Sequence, residues 1–437
     1  MQRIMRQLGC FIARVTLLGA CVALLGLATA GRADVQPGDV ITKDNADKYA
    51  DLLSPGVLWV VKHGMIIKVV PPRELPLPKR YVEATEKYAG QVRLAQNGLK
   101  LENYVAGMPF PHIDPNDPQA AIKIMWNYEY RPFFIDDFRE GDFGSYTGAV
   151  NYDKPMNIER TLWIGDLRRL YYNGRLYVDP KPELPNPEGV RFKESLHPII
   201  APFDLKGVGF LGIRHIDAAR QDDTWLYLPQ LRRVRRLSSA QRSDALFGQD
   251  ADADSFFGYS GHIAWMEWKL LGMKEVLGSM HAENWPIKQC PGGGDFSFCD
   301  VWEKRPVYVI EGVSKLPQYA FSKRVIMIDR QGILPLTSDM FDRAGQLWKV
   351  WIDFFSYRKQ AIPDARFTYE DEMPFYPGGF VIDTQLGHVT YIPHPDPTSN
   401  DKESIYFNQG PKGTSPIAPA GAEEKFFSIT HLIESGH

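Results

Sequence analysis

Long apolar runs, cysteine and an excess of charge of one sign are all scarce in this sequence of 437 residues. The N-terminal apolar stretch, residues 15–27, has 13 residues, whereas a helix that spans a bilayer needs about 20. There are four cysteines, and 50 basic residues nearly balance 53 acidic ones. These shortages argue against a cysteine-rich scaffold and against a basic nucleic-acid-binding chain.

The first 33 residues are typical of a secretory signal peptide. Three arginines precede the apolar stretch, and small residues follow it at Ala28, Ala30 and Ala33. We expect cleavage after Ala30 or Ala33, which predicts a periplasmic protein. Two alternatives stay open: an uncleaved anchor, and a lipoprotein lipidated at Cys21, which ends the lipobox-like sequence Leu-Gly-Ala-Cys.

Removal of residues 1–33 would leave an acidic protein. That segment contains four arginines and no acidic residue, so the formal net charge of −3 becomes −7 over the remaining 404 residues. An exported chain of this charge has little reason to bind nucleic acid. At this length the chain can bury roughly three quarters of its unfolded surface, enough for one large core or two packed ones.

Cys290 and Cys299 are the two cysteines that follow residue 33, and they bracket a glycine-rich loop. We predict a disulfide between them, because the periplasm is oxidising. A zinc site is disfavoured, since structural zinc takes four ligands and no His or Cys lies nearby to complete the set. The sequence predicts neither a metal nor a cofactor.

Composition favours β-sheet. The chain has 24 Phe, 20 Tyr and 10 Trp, while 37 Gly and 33 Pro separate short apolar runs, which is typical of many strands joined by turns. Consecutive hairpins indicate an antiparallel sheet. We predict turns at Gly64, Asn173-Gly174, Gln331-Gly332, Ala344-Gly345 and Gly387. Helices are expected at residues 45–53 and 118–130, the second capped by Asp117.

Alternation along two predicted strands separates an apolar face from a mixed one. The apolar face of residues 346–357 carries Trp348, Val350, Ile352 and Phe354. The apolar face of residues 262–270 carries Ala264, Met266, Trp268 and Leu270. Such faces are either core beneath helices or, in part, the uncovered wall of a lipid-sized groove.

Two stretches carry a family resemblance. Residues 221–272 contain the pattern D-D-x-W-x-Y-x-P-x-L-R-R-V-R-R-L, and residues 305–350 contain R-P-V-Y-V, Y-x-x-S-K-R-V and D-R-x-G-x-L-W-K. In these stretches, about a quarter of the chain, the sequence resembles the bacterial domain-of-unknown-function 1329 family. It is more distantly similar to the outer-membrane lipoprotein-sorting proteins.

The resemblance implies an α+β fold: a strongly curved antiparallel sheet, an open half-barrel, with helices packed across its concave face. Residues 34–437 would form one large lipoprotein-carrier-like domain, or residues 34–200 would add a further lobe. Acyl chains would lie between sheet and helices, against Met266, Trp268, Trp348, Ile352 and Phe354. The resemblance also implies service to an inner-membrane exporter of the resistance-nodulation-division type.

The tract 232–236 contains four arginines, Arg232, Arg233, Arg235 and Arg236. One interpretation is a solvated edge strand that charge protects against pairing with other chains. The other is docking on anionic head groups or an acidic partner, for which the planar guanidinium is suited. The sequence leaves both open.

Enzyme motifs are missing. Residues 258–262 do not complete a G-x-S-x-G elbow, and there is no H-E-x-x-H, P-loop or dinucleotide fingerprint. Asp250, Asp252 and Asp254 imitate a calcium loop, but Ser255 and Gly261 replace its required Gly and Glu, so we interpret them as an acidic turn. The sequence therefore predicts a non-enzymatic periplasmic carrier or chaperone for a lipophilic molecule. A periplasmic hydrolase and an interaction scaffold of the cell envelope remain the alternatives.

Overall fold

The computed structural model describes residues 34–95, 98–150, 157–238, 241–290, 297–365, 367–400, 402–407 and 424–436. Asp34–His437 is one compact unit. The predicted signal peptide and Cys21 lie outside the described residues. No helix in the described ranges combines the length and hydropathy needed to span a membrane.

Nineteen strands form in the described ranges, and most of them are antiparallel. They are β1 (Val40–Ile41), β2 (Ile67–Val69), β3 (Arg93–Ala95), β4 (Lys100–Glu102), β5 (Asp137–Ala149), β6 (Asn157–Tyr171), β7 (Val190–Leu196), β8 (Ile199–Ala201), β9 (Gly209–His215), β10 (Asp223–Leu228), β11 (Arg233–Arg236), β12 (Met266–Gly278), β13 (Val301–Ser314), β14 (Lys323–Asp329), β15 (Pro335–Phe341), β16 (Leu347–Arg358), β17 (Met373–Asp383), β18 (His388–Pro393) and β19 (Ile405–Phe407).

Seventeen of these strands form one sheet, and β3 and β4 form a separate hairpin. The pairings give the order β11, β10, β9, β7, β6, β5, β18, β17, β16, β15, β14, β13, β12. β8 adds to β6, β19 adds to β5, and β2 lies parallel to β13. Among the described pairings none joins β11 to β12, so the sheet is open.

The helices are short: α1 (Pro55–Lys62), α2 (Lys79–Tyr88), α3 (Ala120–Glu129) and α4 (Ile429–Glu434), with a 3-10 turn at Ala46–Leu52. The strand predicted before Gly64 is wrong. The Ser54 side chain accepts a hydrogen bond from the Val57 backbone N–H, and Pro55 occupies the first helical position, so α1 forms there. The predicted cap of α3 is wrong: Asp117 lies three residues before the helix, and the N-cap residue is Gln119.

Three of the five predicted hairpins form, and those predicted around Gly64 and Asn173-Gly174 do not form as predicted. β14–β15, β15–β16 and β17–β18 pair around the turns expected at residues 331–332, 344–345 and 387. Around Asn173-Gly174, where Gly174 has φ +76°, Asn173 forms an isolated bridge with Glu183, and β7 begins only at Val190. The reason is Arg175, which is buried and donates to the Asp137 carboxylate at 2.9 Å and the Tyr171 carbonyl at 2.7 Å.

The predicted alternation in β16 is interrupted by a β-bulge. Lys349 pairs with Met340 and Leu347 with Phe341, so Trp348 is the extra residue and changes face. Ile352 and Phe354 pack in a core cluster with α1, whereas Trp348 packs in another cluster with α3. Helices therefore contact both faces of this part of the sheet, and the expected packing across one concave face is not confirmed.

The second predicted strand begins later than expected. Ile263–Trp265 is a 3-10 turn, and β12 starts at Met266. From there the alternation is confirmed: Met266, Trp268 and Leu270 pack in one cluster, and Glu267 and Lys269 are exposed.

Candidate functional site

The five side chains predicted to bind a ligand are distributed through the interior. Met266 is 3% exposed, and Ile352 and Phe354 are fully buried. Trp268 and Trp348 are partly buried and each is held by its indole N–H, which donates to the Ile263 carbonyl at 2.7 Å and to Asp383 Oδ2 at 2.8 Å, respectively. None of the five lines the cavities described below. Their ligand-binding role stays a prediction.

An apolar cavity of about 730 Å³ lies at the junction of β5, β6 and β18. Apolar and aromatic side chains dominate its lining, and a few polar groups stand among them. The lining residues are Tyr146, Ile158, Trp285, Pro286, Ile287, Lys288, Gln289, Ile362, Tyr391, Pro395, Asp396, Pro397 and Lys402. Its size and lining are typical of small-molecule sites.

One wall of this cavity is a short hairpin closed by a disulfide, which we call the disulfide hairpin: residues 285–290 and 297–299. The predicted disulfide between Cys290 and Cys299 is confirmed, with their Cα atoms 4.8 Å apart. The Cys290 N–H donates to the Ser297 carbonyl at 2.6 Å, and the Cys299 N–H donates to the Lys288 carbonyl at 2.8 Å. The Tyr391 hydroxyl donates to the Ile287 carbonyl at 2.9 Å, which ties the hairpin to β18.

The polar groups of the cavity are of two kinds. Asp396 is fully buried, and accepts hydrogen bonds from the Tyr146 hydroxyl at 2.5 Å and the Thr398 hydroxyl at 2.6 Å. Lys288 and Lys402 are exposed. The cavity can therefore hold an apolar group inside while cationic side chains stand where it meets solvent.

Removal of the disulfide should loosen this wall. On the chain-entropy model, closure of a loop of this length stabilises the folded protein by about 2.7 kcal/mol. We expect the Cys290→Ser/Cys299→Ser variant to lose roughly that much in the free energy of unfolding, measured by denaturant titration. Equal unfolding curves for variant and wild type would contradict this. Two alkylatable thiols in unreduced, denatured wild-type protein would show that no disulfide forms.

A larger cavity, about 870 Å³, lies between α2 and α3. Its lining contains more charged and polar side chains, among them Glu86, Arg93, His112, Gln119 and Lys123. Burying an apolar molecule beside charged side chains is unfavourable. We therefore regard the smaller, more apolar cavity as the better candidate site for a lipophilic ligand.

The motifs that carry the family resemblance meet in a buried ionic network, not in a cleft. Arg324 is fully buried and donates to the Gly258 carbonyl at 2.8 Å and the Tyr319 hydroxyl at 2.8 Å. The Tyr319 hydroxyl donates to Asp254 at 3.1 Å, and Arg242 joins Asp254 to Asp222. The acidic turn of Asp250, Asp252 and Asp254 is thus internal. In the part of the chain that the structure describes, no group of His, Cys, Asp or Glu is arranged to hold a metal ion.

Four titratable side chains form a second buried cluster: Glu140, Asp353, Tyr376 and His394, each at most 4% exposed. His394 Nδ1 lies 2.5 Å from Glu140 Oε1. Burial raises the pKa of Glu140 to about 8 and lowers that of His394 to about 3, which favours the neutral pair over the ion pair. Burial also raises the pKa of Asp353 to about 7. None of the members of this cluster lines a described cavity.

These shifts predict a stability maximum in mildly acidic solution. The carboxyl groups with raised pKa contribute stability that is present near pH 4 and is lost as the pH rises through about 7 to 8. His394 has a lowered pKa, so its contribution is lost as the pH falls from about 6.5 toward 3. Between about pH 4.5 and 6.5 the two carboxyl groups lower the free energy of unfolding faster than His394 raises it, so these three groups place the maximum near pH 4 and a decline from there to about pH 8.

The Glu140→Gln variant tests this assignment. Glutamine cannot ionise, so we expect the decline on the alkaline side to become shallower in unfolding titrations at pH values from 5 to 9. Glu86→Gln, at an exposed position on α2, is the matched control and should leave the pH profile as in wild type. An unchanged alkaline decline in Glu140→Gln would contradict the assignment.

The arginine tract lies at one edge of the sheet. β11 pairs only with β10 among the described strands, as the edge-strand interpretation expected. Arg232 precedes the strand with φ +48°, and Arg236 forms an ion pair with Asp223. Arg232, Arg233 and Arg235 are exposed. Their docking role stays a prediction.

Sequence reasoning missed the residues that form the cavity. Trp285, Ile287 and Tyr391 come from segments far apart in the chain, and no spacing in the sequence indicates that β5 and β18 pair. One signal was present: the predicted disulfide bounded a hairpin whose flank, residues 285–287, is aromatic and apolar. That signal indicates a structured loop but not which strands of the sheet it packs against.

This chain is similar to several known proteins. An uncharacterized protein of Pseudomonas aeruginosa is 25% identical over 365 residues, which cover 79% of this chain and 72% of that protein. A solved domain described as part of an outer membrane lipoprotein-sorting protein, from Vibrio parahaemolyticus, is 20% identical with a TM-score of 0.45, over 72% of this chain and 98% of that one. A DUF1329 family protein from Desulfovibrio piger is 15% identical with a TM-score of 0.41, over 68% and 92%.

A family model described as protein of unknown function (DUF1329) matches residues 40–421, which include both stretches of the sequence resemblance and every strand of the sheet. The chain belongs to the DUF1329 family.

Proposed function

We propose that the protein is a non-enzymatic carrier or chaperone of the periplasm that holds a lipophilic molecule in the cavity between β5, β18 and the disulfide hairpin. The observation that carries the proposal is the cavity itself, about 730 Å³ with a mainly apolar and aromatic lining. The five residues predicted from alternation are packed into the interior, so the ligand is assigned to the cavity and not to them.

Burial of apolar surface supplies the binding energy. At about 25 cal/mol per Å², an acyl chain or polycyclic molecule that hides several hundred Å² gains several kcal/mol before the costs of association. That is enough for a dissociation constant in the micromolar range, which still allows release of the ligand to an acceptor. No bond is made or broken in this mechanism.

The two lysines favour an amphiphile with a negatively charged head. Lys288 and Lys402 line the cavity and are exposed, so a head group placed beside them would stay hydrated while its apolar part is buried. The sequence resemblance supports a role in outer-membrane lipid or lipoprotein trafficking. It also supports an exporter of the resistance-nodulation-division type as the donor or acceptor.

Native mass spectrometry of protein recovered from its own periplasm tests the proposal. We expect a mass above that of the polypeptide, and release of a lipophilic compound on denaturation. The same spectrum reads the N-terminus and so checks cleavage after Ala30 or Ala33. Protein that is empty on recovery and that takes up no fluorescent fatty acid would contradict the carrier function.

A further inference from the structure

The most exposed large apolar side chain in the described residues belongs to Phe203, which is 90% exposed. It begins the 3-10 turn Phe203–Leu205, between β8 and β9. Leu231 is 50% exposed and ends a second 3-10 turn, Pro229–Leu231, immediately before β11. Exposing a phenylalanine this fully gains nothing for folding, so it is a candidate for contact with something outside the chain.

The two turns are neighbours. The Gln230 side chain donates to the Asp204 carbonyl at 2.8 Å, which joins the residues next to Phe203 and Leu231. Gly207, which follows the first turn, lies so close to the second that a Cβ at this position would be 3.0 Å from a carbon of Pro229. Phe203 and Leu231 are therefore two apolar tips on one ridge of the molecule.

Cationic side chains flank this ridge. In the β10–β11 pairing, Arg233 lies opposite Leu228 and Arg235 opposite Leu226, so both arginines project on the sheet face where those leucines pack. Leu205 of the first turn packs in the same cluster. The ridge and the arginines thus lie on one face of the sheet edge.

The charge of this surface is positive. Arg232, Arg233, Arg235 and Lys206 are exposed, and no ion pair among the described residues involves them. The one carboxylate on the ridge, Asp204, is paired with Arg160 at 3.0 Å. Exposed cations clustered on a protein of net negative charge attract an anionic partner.

We propose that this surface docks the protein on an anionic lipid bilayer, with Phe203 and Leu231 inserted at the level of the head groups and Arg232, Arg233 and Arg235 beside the phosphates. Isolated apolar tips with cations beside them suit a bilayer interface, where apolar side chains enter and basic side chains reach the anionic head groups. A protein partner would instead need a broad complementary surface of about 800 Å² on each side, and two tips on a ridge do not provide one.

Sedimentation with vesicles tests the docking surface. Protein recovered from the periplasm of the expression host is mixed with vesicles of phosphatidylcholine containing phosphatidylglycerol, or of phosphatidylcholine alone. We expect binding to the anionic vesicles only, weakened by added sodium chloride. Phe203→Ser should weaken the partition coefficient about tenfold, because the apolar ring no longer enters the interface. Arg233→Gln/Arg235→Gln should weaken it about twentyfold.

Matched control variants remove an exposed apolar side chain, or two exposed cations, at other positions of the surface. Leu386→Ser replaces a 77% exposed apolar side chain at the β17–β18 turn, and Lys43→Gln/Lys68→Gln removes two exposed cations at β1 and β2. Both should bind vesicles as wild type does, and all variants should melt as wild type does.

The proposal is overturned if wild-type protein does not bind anionic vesicles, or if Phe203→Ser and Arg233→Gln/Arg235→Gln bind them as well as wild type does. The surface would then bind an acidic protein or a strand added at β11. Ligand retention in the same variants separates docking from carriage. Loss of vesicle binding with the ligand still bound supports docking alone, whereas an empty cavity with intact vesicle binding contradicts the carrier function and not this inference.

Discussion

Ile158→Glu should abolish ligand retention while leaving the protein folded. Ile158 lines the apolar cavity and is 52% exposed, so its replacement disturbs little packing. A carboxylate in the apolar wall against which an acyl chain would lie loses hydration when the ligand enters, at a cost on the order of 3 kcal/mol, or about 100-fold in affinity. The measurement is the ligand occupancy of purified protein by native mass spectrometry, with the melting temperature as the check on folding.

Two further variants guard against ambiguity. Ile158→Trp keeps the position apolar but fills part of the cavity, so it should also lower occupancy, and this effect does not depend on the lysines nearby. Val40→Glu, at a 47% exposed strand position on β1, is the matched control and should keep the ligand. Unchanged occupancy in both Ile158 variants would rule out this cavity as the ligand site.

The residues predicted from the alternation have their own test. Trp268→Glu places a charge beside Tyr259, whose ring lies 5.1 Å away, and removes the indole hydrogen bond to Ile263. If Trp268→Glu stays folded and loses the ligand while Ile158→Glu retains it, the site lies at the aromatic face of β12 and the cavity assignment is wrong. The pair of variants therefore decides between the two locations.

Arg324→Met should destabilise the protein by about 3 to 5 kcal/mol. Methionine is close to arginine in volume but donates no hydrogen bonds, so the Gly258 carbonyl and the Tyr319 hydroxyl lose their partner. Arg324 also favours ionisation of the buried Asp252, whose pKa burial raises. Denaturant titration of the free energy of unfolding measures the effect.

Arg330→Met is the matched control for this network. Arg330 follows the same strand, β14, but is exposed, so the substitution should change the free energy of unfolding by no more than about 0.5 kcal/mol. If Arg324→Met is as stable as Arg330→Met, the network does not hold the acidic turn in place, and the family motif Tyr319–Val325 has another purpose.

What could be predicted from the sequence is local in origin. Adjacent strands separated by a turn residue bring their partners together at once, so the hairpins β14–β15, β15–β16 and β17–β18 were found from alternation and glycine positions. The disulfide followed from two cysteines and an oxidising compartment. The family followed from motifs whose residues turn out to be ion-pair partners, such as Asp222 with Arg214 and Arg242.

The tertiary structure alone decided which surfaces meet. The β5–β18 pairing joins residues 146 and 391, and the apolar cavity exists only because that pairing faces the disulfide hairpin. Alternation distinguishes the two faces of a strand but does not indicate what packs against each face. A single bulge at Trp348 divides the predicted apolar face of β16 between two core clusters. Likewise the arginine tract was plain in the sequence, but Phe203 became its neighbour only through a hydrogen bond across 26 residues. Composition and local pattern thus determined the strands and their turns, whereas long-range pairing decided where the apolar cavity and the exposed Phe203 lie, because contacts between distant segments leave no periodic trace in the chain.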